Sequence, residues 1–267
     1  MTGITSNSGR SGVCVTRPMA ERMFAMRIDR ALCLLGLALA CSRAGADPRP
    51  TTTGEGPLVI ELFTSQGCSS CPPADRLLSR LATAGALGDR PLAPLAFHVD
   101  YWNDLGWADP YSSSAWTERQ RQYSRAIGDA RVYTPELVVG GAAGVIGSNL
   151  AAVTQAVQLA AHPSLLAATA AWAKDTVTVT VTAPADADVW VAVWEDDTAT
   201  RVTRGENSGE ILSGDRIVRR LERIAPAGQK ASSVVKLDTG WHAGGAVAFA
   251  QRNDRRIVAS ALLRRVR

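Results

Sequence analysis

Two cysteines two residues apart, in Gly67-Cys68-Ser69-Ser70-Cys71-Pro72-Pro73, lie between an apolar run and a helix-like run, and this junction limits what the chain can become more than any other stretch. The preceding run, Leu58-Val59-Ile60-Glu61-Leu62-Phe63, is β-branched and apolar with one carboxylate, the pattern of a parallel-sheet strand covered on both faces. In the following run Ala74, Leu77, Leu78, Leu81 and Ala82 recur at helical spacing. Pro72 and Pro73 suit the first turn of a helix, where a missing N–H costs nothing. The cysteines therefore stand where a strand hands over to a helix.

A chain of 267 residues with 46% apolar residues has room for one large or two ordinary domains, and two are expected. The net charge of +4 is spread along the chain and interleaved with Asp and Glu. A nucleic-acid surface needs its basic residues gathered, so no nucleic-acid partner is expected.

Five cysteines are present, and three of them, Cys14, Cys33 and Cys41, precede the folded part. Met26-Arg27-Ile28-Asp29-Arg30 is a short basic start, Ala31 to Ala40 is apolar, and Ala44-Gly45-Ala46 has the small-x-small form of a signal-peptidase site. Residues 26–46 read as a signal peptide, 1–25 as an upstream extension of the reading frame, and 47–57, rich in Pro, Thr and Gly, as a linker. Leu37-Ala38-Leu39-Ala40-Cys41 also resembles a lipoprotein box, with a lipid anchor at Cys41 as the alternative cleavage. The apolar core is about half of the ~20 residues a membrane-spanning helix needs, so no membrane span is expected. Either cleavage implies a periplasmic or secreted protein that keeps only Cys68 and Cys71 as ordinary thiols, too few for a disulfide framework.

Beyond the first helix, Gly85 and Gly88 give stop signals and Leu92 to Val99 is a second apolar run holding His98. The aromatic loop Tyr101 to Tyr111 follows at the C-terminal end of that strand, where ligands of open α/β sheets gather. Trp102 and Trp107 within it either wall the cysteine site or plug an edge of the core. Ser112 to Ile127 reads as a helix ended by Gly128, with Trp116, Tyr123 and Ile127 on one face. Tyr133-Thr134-Pro135 opens the strand Glu136 to Val139, Gly140 to Gly144 turn the chain into Val145-Ile146, and Ser148 or Asn149 caps a helix reaching about Ala161. The order over 58–163 is β-α-β-α-β-β-α with CxxC after the first strand, the order of a thioredoxin fold.

From Leu165 the period changes to two. Thr176 to Thr182 alternates strictly, Val189 to Trp194 alternates small with large, and further runs lie at 216–224, 232–238, 246–251 and 256–263. This predicts a second domain, 164–267, built as an antiparallel β-sandwich of roughly seven strands, with the boundary at His162-Pro163. Arg204 to Glu210 reads as a polar hairpin connection.

Three stretches carry a family resemblance: Glu61 to Asp75, His98-Val99-Asp100-Tyr101-Trp102, and Tyr133-Thr134-Pro135. They resemble domain-of-unknown-function family 1223, secreted thioredoxin-like proteins. The resemblance implies a thioredoxin-like fold, export and a cis Pro135, and leaves the substrate undefined. Relatives carry Gln after that proline, where this chain has Glu136.

The chemistry expected is thiol–disulfide exchange. A free thiol has a pKa near 8.5, and CxxC thiols at a helix start fall to roughly 3.5–7. Cys68, upstream of the helix, is assigned as the attacking nucleophile and Cys71 as the resolving thiol. Thr134 and Pro135 would offer backbone to an extended substrate, with Tyr133, Trp102 and Trp107 as contact residues. Glu61 is either the acceptor of the Cys71 proton or a salt-bridged glutamate. The expected function is an exported oxidoreductase acting on protein or small thiols through a redox partner, its only cofactor the Cys68–Cys71 disulfide. One rival is a copper-handling protein holding Cu(I) through Cys68, Cys71 and His98. Another is a binding module with a permanent CxxC clip.

Overall fold

The structure, a computed structural model, describes residues 54–129, 131–238, 240–241 and 243–265, all within one compact unit. The expected upstream extension, signal peptide, Cys41 anchor and most of the linker lie outside the described residues.

The chain runs β1 (Leu58–Thr64), α1 (Pro72–Ala84), β2 (Ala86–Leu87), β3 (Arg90–His98), a 3-10 turn (Asn103–Leu105), α2 (Ser114–Ile127), β4 (Glu136–Val139), β5 (Ala143–Ile146) and α3 (Leu150–Leu159). It continues through β6 (Ser164–Leu165), β7 (Ala168–Trp172), β8 (Thr176–Thr182), β9 (Asp188–Glu195), β10 (Thr198–Arg201), β11 (Ile211–Gly214), β12 (Ile217–Ala225), β13 (Lys230–Lys236), β14 (Ala243–Gln251) and β15 (Ile257–Arg264). Ten strands form one mixed sheet in the order β5-β4-β1-β3-β12-β9-β14-β15-β6, with β2 against β3. A three-stranded sheet β13-β8-β7 and the β10–β11 hairpin stand apart from it.

This overturns the expected thioredoxin-like α/β domain followed by a β-sandwich domain. The described residues are mostly β-sheet, with three α-helices, and both halves of the chain share one sheet. The join is short: β3 and β12 run parallel with Ile217 opposite Ala96, and the Ala96 N–H donates to the Arg216 carbonyl at 2.8 Å.

The physical reason lies in side chains on the second face. In β9, Val189, Val191 and Val193 pack with Val177, Val179 and Val181 of β8, as two facing sheets would. The opposite face of β9 and of its neighbour β14 carries Ala192, Trp194, Val247 and Phe249, where a sandwich would present polar residues to water. These join Val59, Phe63, Phe97, Trp116 and Tyr123 from β1, β3 and α2 in a single buried cluster. Phe97 stacks on Phe63 with centroids 5.6 Å apart and meets the Trp116 ring edge at 5.2 Å. Core thus runs without a break from one half into the other.

β1 is covered on both faces, as its apolar run requires. Leu58, Ile60 and Leu62 meet Leu77, Leu78 and Leu81 of α1 and Val153 and Val157 of α3, while Val59 and Phe63 face α2. Its C-terminal end, at Thr64, is therefore fixed from three sides before the chain enters the CxxC loop.

Candidate functional site

Cys68 and Cys71 form a disulfide across the start of α1, with Cα atoms 5.4 Å apart. Cys71 is the N-cap and Pro72 and Pro73 fill the first two helical positions. The prolines carry no N–H, and the next N–H, of Ala74, is spent on the Cys71 carbonyl at 2.8 Å. The helix end therefore offers a sulfur its dipole but no free donor. The polar group beside Cys68 is the Ser70 hydroxyl, 3.3 Å from Sγ. Both cysteines are 0% exposed, although Ser69 and Ser70 between them face solvent.

What roofs the disulfide comes from the far side of the sequence. The loop joining β10 to β11 lays Asn207 on the CxxC turn, its amide donating to the carbonyls of Gln66 at 2.9 Å and Cys68 at 3.0 Å. The neighbouring Glu206 carboxylate accepts the Ser69 N–H at 3.0 Å, and these Ser69 bonds hold its pKa below the usual carboxylate range. The loop seats where two glycines meet: a Cβ on Gly205 would come within 3.1 Å of the Trp107 Cβ, and one on Gly106 within 3.2 Å of the Gly205 Cα. Both have positive φ, +77° and +105°, conformations that glycine adopts freely.

Both tryptophans of the aromatic loop face this site. Trp107 Nε1 donates to Gln66 Oε1 at 3.2 Å, and Trp102 Nε1 donates to Thr134 Oγ1 at 2.8 Å. The Thr134–Pro135 peptide is cis. Trp102 also packs on the CxxC turn, since a Cβ on Gly67 would lie 3.1 Å from its Cβ. Tyr133 is held elsewhere, its carbonyl accepting from Gln120 of α2 at 2.7 Å. Glu136 is buried beside Gln120, which donates to it at 2.7 Å, and burial pushes its carboxyl up to about 6.

Glu61 takes the salt-bridged role. Fully buried, it accepts two bonds from Arg119 and one, at 2.5 Å, from the Tyr123 hydroxyl. Gln251 of β14 bonds the same Tyr123 hydroxyl at 2.8 Å, so the group ties β1 and α2 to β14.

A second polar group, of which the sequence singled out only His98, adjoins the CxxC loop. Asp75 follows Cys71 by one helical turn, and Thr64 Oγ1 donates to it at 2.8 Å. Burial pushes its carboxyl up to about 6, partly offset by His98. His98 Nδ1 lies 2.7 Å from Asp109 Oδ2, which also accepts the Gln66 N–H at 2.7 Å. Burial of His98 opposes its charge, but Asp109 outweighs this and raises its pKa above the usual value. Asp109 in turn is held below its usual range by His98 despite burial. Gln66, Asp75, His98, Ser213 and Asp215 enclose about 10 Å³, room for one water.

Cys68, Cys71, Thr134, Pro135, Trp102 and Trp107 thus belong to one neighbourhood, and Glu61 and Tyr133 are engaged by α2. For Cu(I), His98 Nδ1 is committed to Asp109, and among the described residues no three His, Cys, Asp or Glu side chains gather to hold a metal ion. A cavity of about 650 Å³, lined by Val139, Ala143, Leu159 and Ile257, opens at the other end of the β4–β5 hairpin from Glu136.

The model of a family described as "Protein of unknown function (DUF1223)" matches residues 59–251. The X-ray crystal structure of protein AGR_C_4864 from Agrobacterium tumefaciens is similar, with a TM-score of 0.59 and 29% identity over 79% of this chain and 95% of that one. HBP35 of Porphyromonas gingivalis matches with a TM-score of 0.49 and 13% identity, over 78% of this chain and 74% of that one. None of the curated proteins compared with the chain matches it.

Proposed function

The chain belongs to this family of unknown function, and on that premise we propose that it is an exported thiol–disulfide oxidoreductase whose working group is the Cys68–Cys71 pair. The observation that carries the reading is the disulfide at the first turn of α1, with Ser70 Oγ beside Cys68 Sγ. In the reduced state the Cys68 thiolate would be stabilised by that hydroxyl and by the helix dipole, which lowers its pKa and makes it the better leaving and attacking sulfur. Cys71, the N-cap and buried, closes the disulfide and expels a bound thiol. Export rests on the basic and apolar stretch at 26–46 followed by Ala44-Gly45-Ala46.

The test is equilibration of the Cys68–Cys71 couple in glutathione buffers of graded ratio, followed by turnover with a disulfide substrate. A potential in the span of catalytic pairs together with turnover, both lost in Cys68→Ser, supports the reading. A couple that stays oxidised through the whole glutathione range and gives no turnover would leave a permanent clip instead.

A further inference from the structure

We infer that the site is built for low-molecular-weight thiols and that Glu206 and Asn207 are the residues that exclude polypeptide chains; this rests on the oxidoreductase reading above.

An extended peptide is captured by unpaired backbone N–H and C=O groups next to the reactive cysteine, with which it forms a strand-like ladder. Around Cys68 those groups are already taken. The Ser69 N–H goes to Glu206, and the carbonyls of Gln66 and Cys68 go to the Asn207 amide. Asn207 is 8% exposed, so these two bonds are shielded from water. The loop that bears them is braced internally, with Ser208 N–H on the Gly205 carbonyl, Gly209 N–H on Val202 and Glu210 N–H on Asn207. Beside Thr134 stands Trp102, packed on Gly67 and bonded to the Thr134 side-chain Oγ1. A peptide would have to break the Glu206 and Asn207 contacts to lie down on the turn, whereas a small thiol has only to reach the Cys68 sulfur, itself 0% exposed, through a local opening.

The exchange balances with small thiols alone. A thiolate RS⁻ attacks Cys68 Sγ, forming RS–Sγ and breaking the Cys68–Cys71 bond, and Cys71 leaves as a thiolate that takes up a proton. A second RS⁻ attacks the sulfur of the bound RS, releasing RSSR and the Cys68 thiolate. Two thiols are oxidised and one protein disulfide is reduced, and the reverse sequence oxidises the protein.

The measurement is the second-order rate of reduction of the full chain's disulfide by glutathione and by a long unstructured peptide bearing one cysteine. The ratio of the two rates is compared in the wild type, Asn207→Ala and Glu206→Ala; Glu206 is exposed, so its variant keeps the fold. Glutathione is expected to react at least about tenfold faster in the wild type, and each variant to raise the peptide rate more than the glutathione rate, by about tenfold for Asn207→Ala, the scale set by two lost hydrogen bonds. Equal wild-type rates, or a ratio unmoved by both variants, overturn the inference while the oxidoreductase reading stands. No reaction with either reductant in any of the three proteins overturns both.

Discussion

Arg119 grips Glu61 with two hydrogen bonds, Nε to Oε2 at 2.6 Å and Nη2 to Oε1 at 2.9 Å, inside a core where both residues are at most 5% exposed. Two charges so deeply buried are tolerated because each supplies the other's partner, and Tyr123 and Gln251 complete the set. Breaking such a pair from one side leaves an uncompensated charge. Arg119→Ala should cost about 3–5 kcal/mol in urea unfolding. Because the same group leaves Glu61 no spare role at the cysteines, Glu61→Gln should destabilise the fold without moving the pKa of Cys68, read by the pH dependence of thiolate absorbance.

Asp75 gives a pH dependence of defined sign. Its carboxyl titrates at about 6 in the folded chain and near 3.8 when unfolded, so between those values the native state binds more protons and stability falls as pH rises. The cost, set by burial, is complete above about pH 6 and amounts to about 3 kcal/mol. Asp75→Asn keeps an acceptor for Thr64 and removes the charge. Its stability advantage over the wild type should widen from pH 4 to pH 6 and then level off, and a constant difference would contradict the assignment.

In the His98–Asp109 pair the two groups have opposite signs: His98 follows Asp75 in losing stability as pH rises, and Asp109 loses it as pH falls. His98 has a raised pKa, so its contribution is whole below 6.5 and is lost as pH rises through the folded value. Asp109 has a lowered pKa, so its contribution is present above 3.8 and lost as pH falls. Asp75 and Arg219 also act on His98, with opposite signs. NMR titration of the His98 ring should show a midpoint above 6.5 in the wild type. In Asp109→Asn, burial is left as the leading influence and the midpoint should drop.

The join between β3 and β12 predicts one unfolding transition. Ile217, 1% exposed, packs with Leu62, Leu78 and Ala96 and carries the register pair between the strands. Ile217→Ala should cost about 2–5 kcal/mol. Circular dichroism and tryptophan fluorescence should shift together in that variant; separate midpoints would mean two independent units.

Local features were legible in the sequence and long-range ones were not. The apolar run at 58–63, the proline-led helix after Cys71 and the Gly128 stop each depend on residues within a few positions of one another; α1 starts at Pro72 and α2 ends before Gly128 as those signals put them, while α2 begins at Ser114 rather than Ser112. The partners that define the site are distant: Arg119 is 58 positions from Glu61 and Asn207 is 139 from Cys68. No periodicity connects them, and a polar hairpin loop looks the same whether it faces water or a disulfide. Asp75 left a weaker trace, an acid one turn beyond Cys71. The error over the second half came from reading alternation as one buried face. Val189 to Trp194 and Ala246 to Ala250 are apolar at nearly every position, which is the pattern of strands covered on both sides.

The cluster in which Phe97, Trp116 and Tyr123 meet Trp194 and Phe249 also governs how such a chain can be recombined. A chimera that transplanted residues 58–161 onto a foreign partner would keep the cysteines and lose both the aromatic floor under α2 and the roof over the disulfide. Any substitute second half would have to reproduce a hydrophobic surface on one side and the Glu206–Asn207 loop on the other. The two halves of the sequence are thereby bound to be exchanged together or not at all.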